Sequence, residues 1–172
     1  MNPADPGDDL VDVIDAADQT IGTVTRRAMR QQRLPHRCVY ILVFNARGEL
    51  FIHQRTTTKD VFPGYWDVAV GGVLAAGEDY EHGARREGKE ELGVTLHPRA
   101  LFPFHYADDA TLVRGMVFRA VHDGPFRLQA EEILRGEFVP LDEVWNRIER
   151  DHFCPDGVGA LREFAARDAA KQ

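Results

Sequence analysis

The chain has 172 residues, with 21 Lys plus Arg against 28 Asp plus Glu and a net charge of −7. That length suits one globular domain, and 44% hydrophobic with 28% charged residues excludes disorder of the whole chain. The acidic balance, without a basic run, argues against a long nucleic acid as partner, because phosphate contacts supply most non-specific affinity there.

The longest clean apolar run, Val39 to Phe44, is too short to span a membrane. Residues 1–9 are rich in Pro and Asp and read as a flexible tail, not a secretory signal. Two cysteines, Cys38 and Cys154, in a chain of this size do not make a disulfide scaffold. No His or Cys spacing suggests zinc. The expectation is a cytoplasmic protein with no membrane partner, with residues 10–172 forming a single domain.

Leu10 to Ile14 alternates apolar and acidic residues as a strand does. Gln19 to Gly22 reads as a turn, and Thr23 to Gln32 as a mixed, helical segment ended by Pro35. Arg37 to Asn45 and Glu49 to Gln54 read as strands of one hairpin around Ala46-Arg47-Gly48. A polar loop, Arg55 to Asp60, leads to a Pro63-Gly64 turn and a strand from Trp66 to Val70. Gly71 to Gly77 is a Gly- and Ala-rich loop. Asp79 to Leu92 is a helix stopped by Gly93. Strands follow at Ala100 to Tyr106 and Leu112 to His122, with a short one at Phe138 to Pro140. Leu141 to Arg150 and Asp156 to Ala170 are amphipathic helices. Strands interspersed with few helices predict a mixed sheet packed between helices.

The stretch that carries chemistry runs from Gly72 to Val94. Glu87, Glu90 and Glu91 stand at i, i+3 and i+4, so the three carboxylates share one side of a helix. Like charges this close repel, and Gly88 in mid-helix costs about 1 kcal/mol relative to Ala. A segment selected for helical stability alone would avoid both. A divalent cation removes the repulsion, and Mg²⁺ takes hard oxygen ligands while leaving positions for phosphates. An arbitrary Glu-rich face is simply solvated, but here the surroundings add to the pattern. Glu78 stands at the helix start, where a carboxylate can accept backbone N–H bonds. Arg86 can hold a carboxylate in place, and Gly71 and Gly72 allow close backbone approach.

This stretch resembles the Nudix signature, G-x5-E-x7-R-E-U-x-E-E-x-G-U. Gly72, Glu78, Arg86, Glu87, Glu90, Glu91, Gly93 and Val94 match at the right spacing, and Gly88 departs where the pattern has a bulky apolar residue. Outside that box, His53-Gln54-Arg55, Lys59 and Phe62-Pro63-Gly64-Tyr65-Trp66-Asp67 are similar to the branch containing isopentenyl-diphosphate isomerase and its hydrolase relatives. Isomerases of that branch carry a catalytic Cys shortly after the Trp. Here that stretch is Val68-Ala69-Val70-Gly71-Gly72, so hydrolysis remains.

The resemblance implies an α/β fold, a Nudix-type α/β/α sandwich with a mixed central sheet. It implies cleavage of a diphosphate linkage in a small nucleoside di- or triphosphate or derivative, with Mg²⁺ as cofactor and Mn²⁺ as a substitute. Glu87, Glu90 and Glu91 become the expected metal ligands, with the Gly72 carbonyl as a further one. Glu78 and Arg86 would orient loop and helix. The general base is left open between Glu91 or Glu90 in the box and a glutamate of a later loop, Glu131, Glu132 or Glu137. Arg55, Lys59 and Arg114 are the basic residues placed to meet phosphates. Trp66 is a candidate for recognising the attached group, whereas Tyr40 and Phe104 read as core. An isoprenyl-diphosphate enzyme and a non-catalytic ligand-binding module are the competing readings. Net charge disfavours RNA decapping, and both a monomer and a homodimer suit the sequence.

Overall fold

A computed structural model describes residues 6–170. Most of the expected tail, residues 1–5, lies outside them, as do residues 171–172. Pro6–Asp8 form a 3-10 turn, and the Asp9 carbonyl accepts the Arg26 N–H at 2.7 Å.

Strand β1 (Leu10–Ile14) pairs antiparallel with β2 (Thr20–Thr25) in a separate two-stranded ribbon. The expected turn at Gln19 to Gly22 lies earlier. Asp15 Oδ1 accepts the N–H groups of Ala17 and Gln19, and Asp18 takes a positive φ of 63°. Side-chain bonding of this kind closes the turn before Ile21 and Gly22, which are strand residues. The helical stretch expected from Thr23 shortens accordingly to α1 (Arg26–Gln31), capped by the Thr25 hydroxyl.

The main sheet holds β3 (Pro35–Phe44), β4 (Leu50–Arg55), β5 (Trp66–Asp67), β6 (Arg99–Ala107), β7 (Leu112–Val121) and β8 (Ile133–Val139). Its order is β5-β4-β3-β7-β6, with β8 also on β4. Strands β3 and β7 run parallel and the other pairs antiparallel, which is the expected mixed sheet.

Two expected strands differ in length. Beyond Asp67 the chain leaves β4 and meets β3 only through isolated bridges at Val70 and Val73, so β5 is short. Strand β8 is longer than the expected Phe138 to Pro140. Gly136, which suggests a break in sequence, lets the Phe51 ring lie where a Cβ would be.

Alternation along β3 divides the core. Val39, Ile41 and Val43 face α2 (Tyr80–Leu92), packing in one cluster with Ala84 and Leu92. Cys38, Tyr40, Leu42 and Phe44 join the other cluster with Val144 of α3 (Leu141–Arg150) and Leu161 of α4 (Pro155–Ala169). The result is an α/β/α sandwich. No helix among the described residues is long and apolar enough to cross a membrane.

Candidate active site

Helix α2 is fixed at both ends. The Asp79 carboxylate accepts the His82 N–H at 2.7 Å, and Gly93, at φ 67°, closes the other end with its N–H on the Lys89 carbonyl. The apolar side of α2 lies on the sheet, and the carboxylates border a cleft of about 600 Å³. Glu87 and Glu91 are only 8% and 7% exposed. The Glu90 side chain is 51% exposed. Three carboxylates that share one side in sequence therefore divide, because on a helix the i+3 residue sits about 100° from the i+4 residue.

Arg86 organises this face. Its Nε and Nη2 grip Glu78 in a fork at 2.8 and 2.9 Å, and its Nη1 donates to Glu87 Oε1 at 3.0 Å and Glu90 Oε2 at 2.9 Å. Glu78 does not cap the helix; Asp79 does. Glu78 instead accepts the Ala75 N–H in the preceding loop. Burial opposes ionisation of Glu78, but its bonds from Arg86 and Ala75 outweigh that and hold its pKa below the usual value.

Glu87 and Glu91 go the other way. Burial raises both, with the nearby Glu90 adding for Glu87 and Glu87 adding for Glu91. Glu91 Oε2 is buried and has no hydrogen-bond partner among the described residues. Such an oxygen is costly to keep ionised unless a cation or a proton meets it.

Across the cleft runs the backbone of Gly71 and Gly72. A Cβ on Gly72 would stand 2.9 Å from Glu87 Oε1, so glycine keeps that carboxylate's approach open. The Gly72 carbonyl already accepts the Val39 N–H at 3.0 Å, which leaves it one further lone pair. Gly71, at φ 146°, has no room for a side chain: a Cβ would meet the Val39 carbonyl oxygen at 2.1 Å. Gly88, the one departure from the box pattern, lies against Leu96. A Cβ there would be 2.7 Å from Leu96 Cδ1, so Leu96 fills the space an aliphatic residue would take.

The loop before β8 closes one side. The Gln129 N–H donates to the Glu91 carbonyl, anchoring the loop to α2. From there Glu132 borders the cleft and accepts a hydrogen bond from the Lys59 ammonium. Burial, followed by repulsion from Arg55, lowers the Lys59 pKa to about 8. Lys59 and Gly71–Val73 also border an adjoining recess of about 80 Å³ beneath β3, which Arg55 lines. Arg55 donates to the Val61 carbonyl at 2.9 Å and faces Asp67 at 3.9 Å.

The structure thus brings together Gly72, Glu78, Arg86, Glu87, Glu90, Glu91, Lys59, Arg55 and Glu132. Four expected site residues do not reach the cleft or the recess. The Trp66 indole lies under the guanidinium groups of Arg135 and Arg147 and against Phe153. Arg114 is on β7, where it alternates away from Val113, the residue that lines the recess. Glu131 contributes only its carbonyl, to the Thr56 hydroxyl, and its side chain is exposed. Glu137 pairs with Arg147 at 2.9 Å. Tyr40 and Phe104 meet edge to face at 5.5 Å in the core, as expected.

Arg26 and Arg30 of α1 were not foreseen, although both border the recess. Their i, i+4 spacing was visible in sequence, but no motif marked the segment.

A sequence model of the NUDIX domain matches residues 34–157. An uncharacterized Nudix hydrolase of Pseudomonas aeruginosa is 38% identical, over 91% of this chain and 93% of its own. The crystal structure of DR0079 from Deinococcus radiodurans superposes with a TM-score of 0.77 at 29% identity, covering 92% of this chain and 98% of that one. The NUDIX domain of Shewanella oneidensis NrtR, solved with ADP ribose, shares the fold alone, with a TM-score of 0.63 at 15% identity over 84% of this chain and 99% of that one.

Proposed function

The chain belongs to the Nudix hydrolase family, and on that premise we propose that it hydrolyses a phosphoanhydride bond in a small nucleoside di- or triphosphate or derivative. The observation that carries this reading is the inward turn of Glu87 and Glu91. A Glu-rich face kept only for solubility would lie in water. These two carboxylates are buried at a cleft, and one oxygen has no partner among the described residues.

The donor set suits a hard divalent cation. Glu87, Glu90 and Glu91 would hold Mg²⁺, with Mn²⁺ as a substitute and the Gly72 carbonyl as a further donor. When bound, the ion neutralises charge on the phosphate oxygens. The protein's own groups do the rest. Arg86 keeps Glu78, Glu87 and Glu90 in register. The Gly71–Gly72 backbone leaves room for the substrate beside them. Lys59 and Arg55 present positive charge to the phosphates. The proton of the attacking water goes to Glu90 or Glu91 in the box, or to Glu132. Glu131 and Glu137 do not line the cleft, which favours the other three for that role.

The same geometry favours hydrolysis over isomerisation. In the stretch from Val68 to Gly72, where isomerases of the similar branch carry their cysteine, Val68, Ala69 and Val70 are buried and apolar. Burial pushes the Cys38 thiol up to about 12 and the Cys154 thiol higher still, so neither supplies a thiolate near neutral pH.

The test is release of phosphate and nucleotide, with and without Mg²⁺, over a substrate panel. The panel holds nucleoside di- and triphosphates, ADP-ribose, dinucleoside polyphosphates, coenzyme A and isopentenyl diphosphate. Metal-dependent turnover of one nucleotide class is the expected result. Silence across the panel from folded, Mg²⁺-binding protein would favour a ligand-binding module, and turnover of isopentenyl diphosphate alone would favour the isoprenyl reading.

A further inference from the structure

We propose that Arg26 and Arg30 of α1 form a phosphate subsite in the recess beside the cleft, holding the free terminal phosphate of the substrate. This rests on the hydrolase reading above for the identity of the ligand, but its physical basis is separate. Both residues precede the 34–157 stretch that the NUDIX domain model matches.

The first observation is a pair of unmet donors. Among the described residues, the Nε atoms of Arg26 and Arg30 are both buried and have no hydrogen-bond partner. Among the described residues they ion-pair with Asp60, 3.8 Å from one and 3.7 Å from the other, beyond hydrogen-bond reach. Asp60 is itself 48% exposed. It offsets the two charges at a distance and leaves the donors free. Among the described residues Arg30 otherwise reaches only the Thr111 hydroxyl, at 3.5 Å. Buried charged donors without acceptors are rare in folded proteins, and beside a cavity they point to an absent acceptor.

The second observation is where they stand. Arg26 and Arg30 are one helical turn apart and both border the recess, together with Arg55 and Lys59. Arg26, Lys59 and the Gly71–Gly72 backbone also border the cleft of Glu87 and Glu91, so recess and cleft are continuous. A ligand lying along the glycines meets the α2 carboxylates on one side and, on the other, a recess whose lining carries Arg26, Arg30, Arg55 and Lys59 against two carboxylates, Asp67 and Asp156. Forked guanidinium donors match an oxyanion with several free oxygens. A phosphate ending in an ester or sugar offers fewer oxygens than a terminal one. The subsite therefore favours substrates that end in a free phosphate over those capped at both ends.

The full chain in metal-free buffer is titrated with inorganic phosphate, by calorimetry or thermal shift. Removing divalent cations keeps the box carboxylates out of the measurement. Saturable binding is expected for the wild type and for Arg114→Gln, which removes a cation remote from the recess. Arg26→Gln/Arg30→Gln is expected to weaken it by roughly tenfold or more, the loss of a charge-assisted hydrogen bond. If the double variant does not fold, Arg30→Gln and Arg30→Lys take its place; the lysine keeps the charge but loses the fork, and both should bind more weakly than wild type. Equal phosphate affinity in wild type and folded arginine variants, or no saturable binding by wild type, would overturn the subsite. With Mg²⁺, Arg30→Gln should raise KM for substrates ending in a free phosphate and leave kcat and capped substrates unchanged. Equal KM changes for capped and uncapped substrates would also count against it. Phosphate binding that depends on both arginines, without turnover of any nucleotide, would retain the subsite and remove the hydrolase reading.

Discussion

Helices α2 and α3 are both rich in charge and both turn an apolar side to the core, but α2 buries carboxylates as well. In α3 the apolar Val144 turns inward, while Glu143 meets Arg147 and Arg150 on the outside. In α2 the pairing is inward. Glu87 and Glu91 are buried beside the cleft, and Arg86 binds Glu78, Glu87 and Glu90 at once. Exposed pairs such as those of α3 contribute little to stability, about 0–1 kcal/mol. Buried carboxylates whose pKa burial raises weaken the fold as they ionise. The difference teaches that the charges of α3 are surface chemistry, while those of α2 are retained against stability.

Breaking α2 should therefore have the largest effect, and on activity. Glu91→Gln is expected to lower kcat by about 100-fold or more. Its thermal midpoint in metal-free buffer should hold or rise. The sign follows from the raised pKa: a carboxyl that binds its proton more tightly when folded weakens the fold as pH rises above the unfolded value. The neutral amide removes that penalty. Steady-state kinetics and a melting curve check both halves. Glu132→Gln should cost about tenfold or less. A loss as large as that of Glu91→Gln would assign the water's proton to Glu132, since general-base catalysis contributes about 10²–10⁴-fold.

The two buried histidines sharpen the comparison from the other sign of charge, since the cations of the recess stand beside them, Arg30 and Arg26 for His36 and Arg55 and Lys59 for His53. Burial lowers His36 to about 4 and His53 to about 3. As pH falls below about 6.5, the unfolded chain takes up protons that the folded chain refuses, so stability drops toward those values. The expected loss at pH 5 relative to pH 7 is about 2 kcal/mol per histidine. Denaturant unfolding at both pH values should show it, and His53→Gln should shrink it by about half. Smallest of all, Glu143→Gln on α3 should shift stability by less than about 0.5 kcal/mol and leave turnover unchanged.

The box was legible because its chemistry sits at fixed spacing within one helix and its loop. The three glutamates could be placed on one side of a helix from periodicity, and Glu78 and Arg86 from their match to the box. What periodicity did not reveal was which carboxylates turn inward, since that depends on how α2 sits on the sheet. Gly88 read as a packing defect because its filler, Leu96, lies eight residues on. Trp66 sat beside the motif in sequence, but short β5 carries its ring toward Arg135 and Arg147. Arg26 and Arg30 lay outside every motif and acquire meaning only when α1 meets the Lys59 loop. Long-range contacts of this kind leave no periodic trace.

The most direct test of the central claim is Mn²⁺ binding to wild type and Glu91→Gln, followed by electron paramagnetic resonance. If the buried face of α2 is a metal site, wild type binds Mn²⁺ saturably and the variant binds at least about tenfold more weakly. Equal affinity in the two folded proteins would show that the inward carboxylates do not hold the metal.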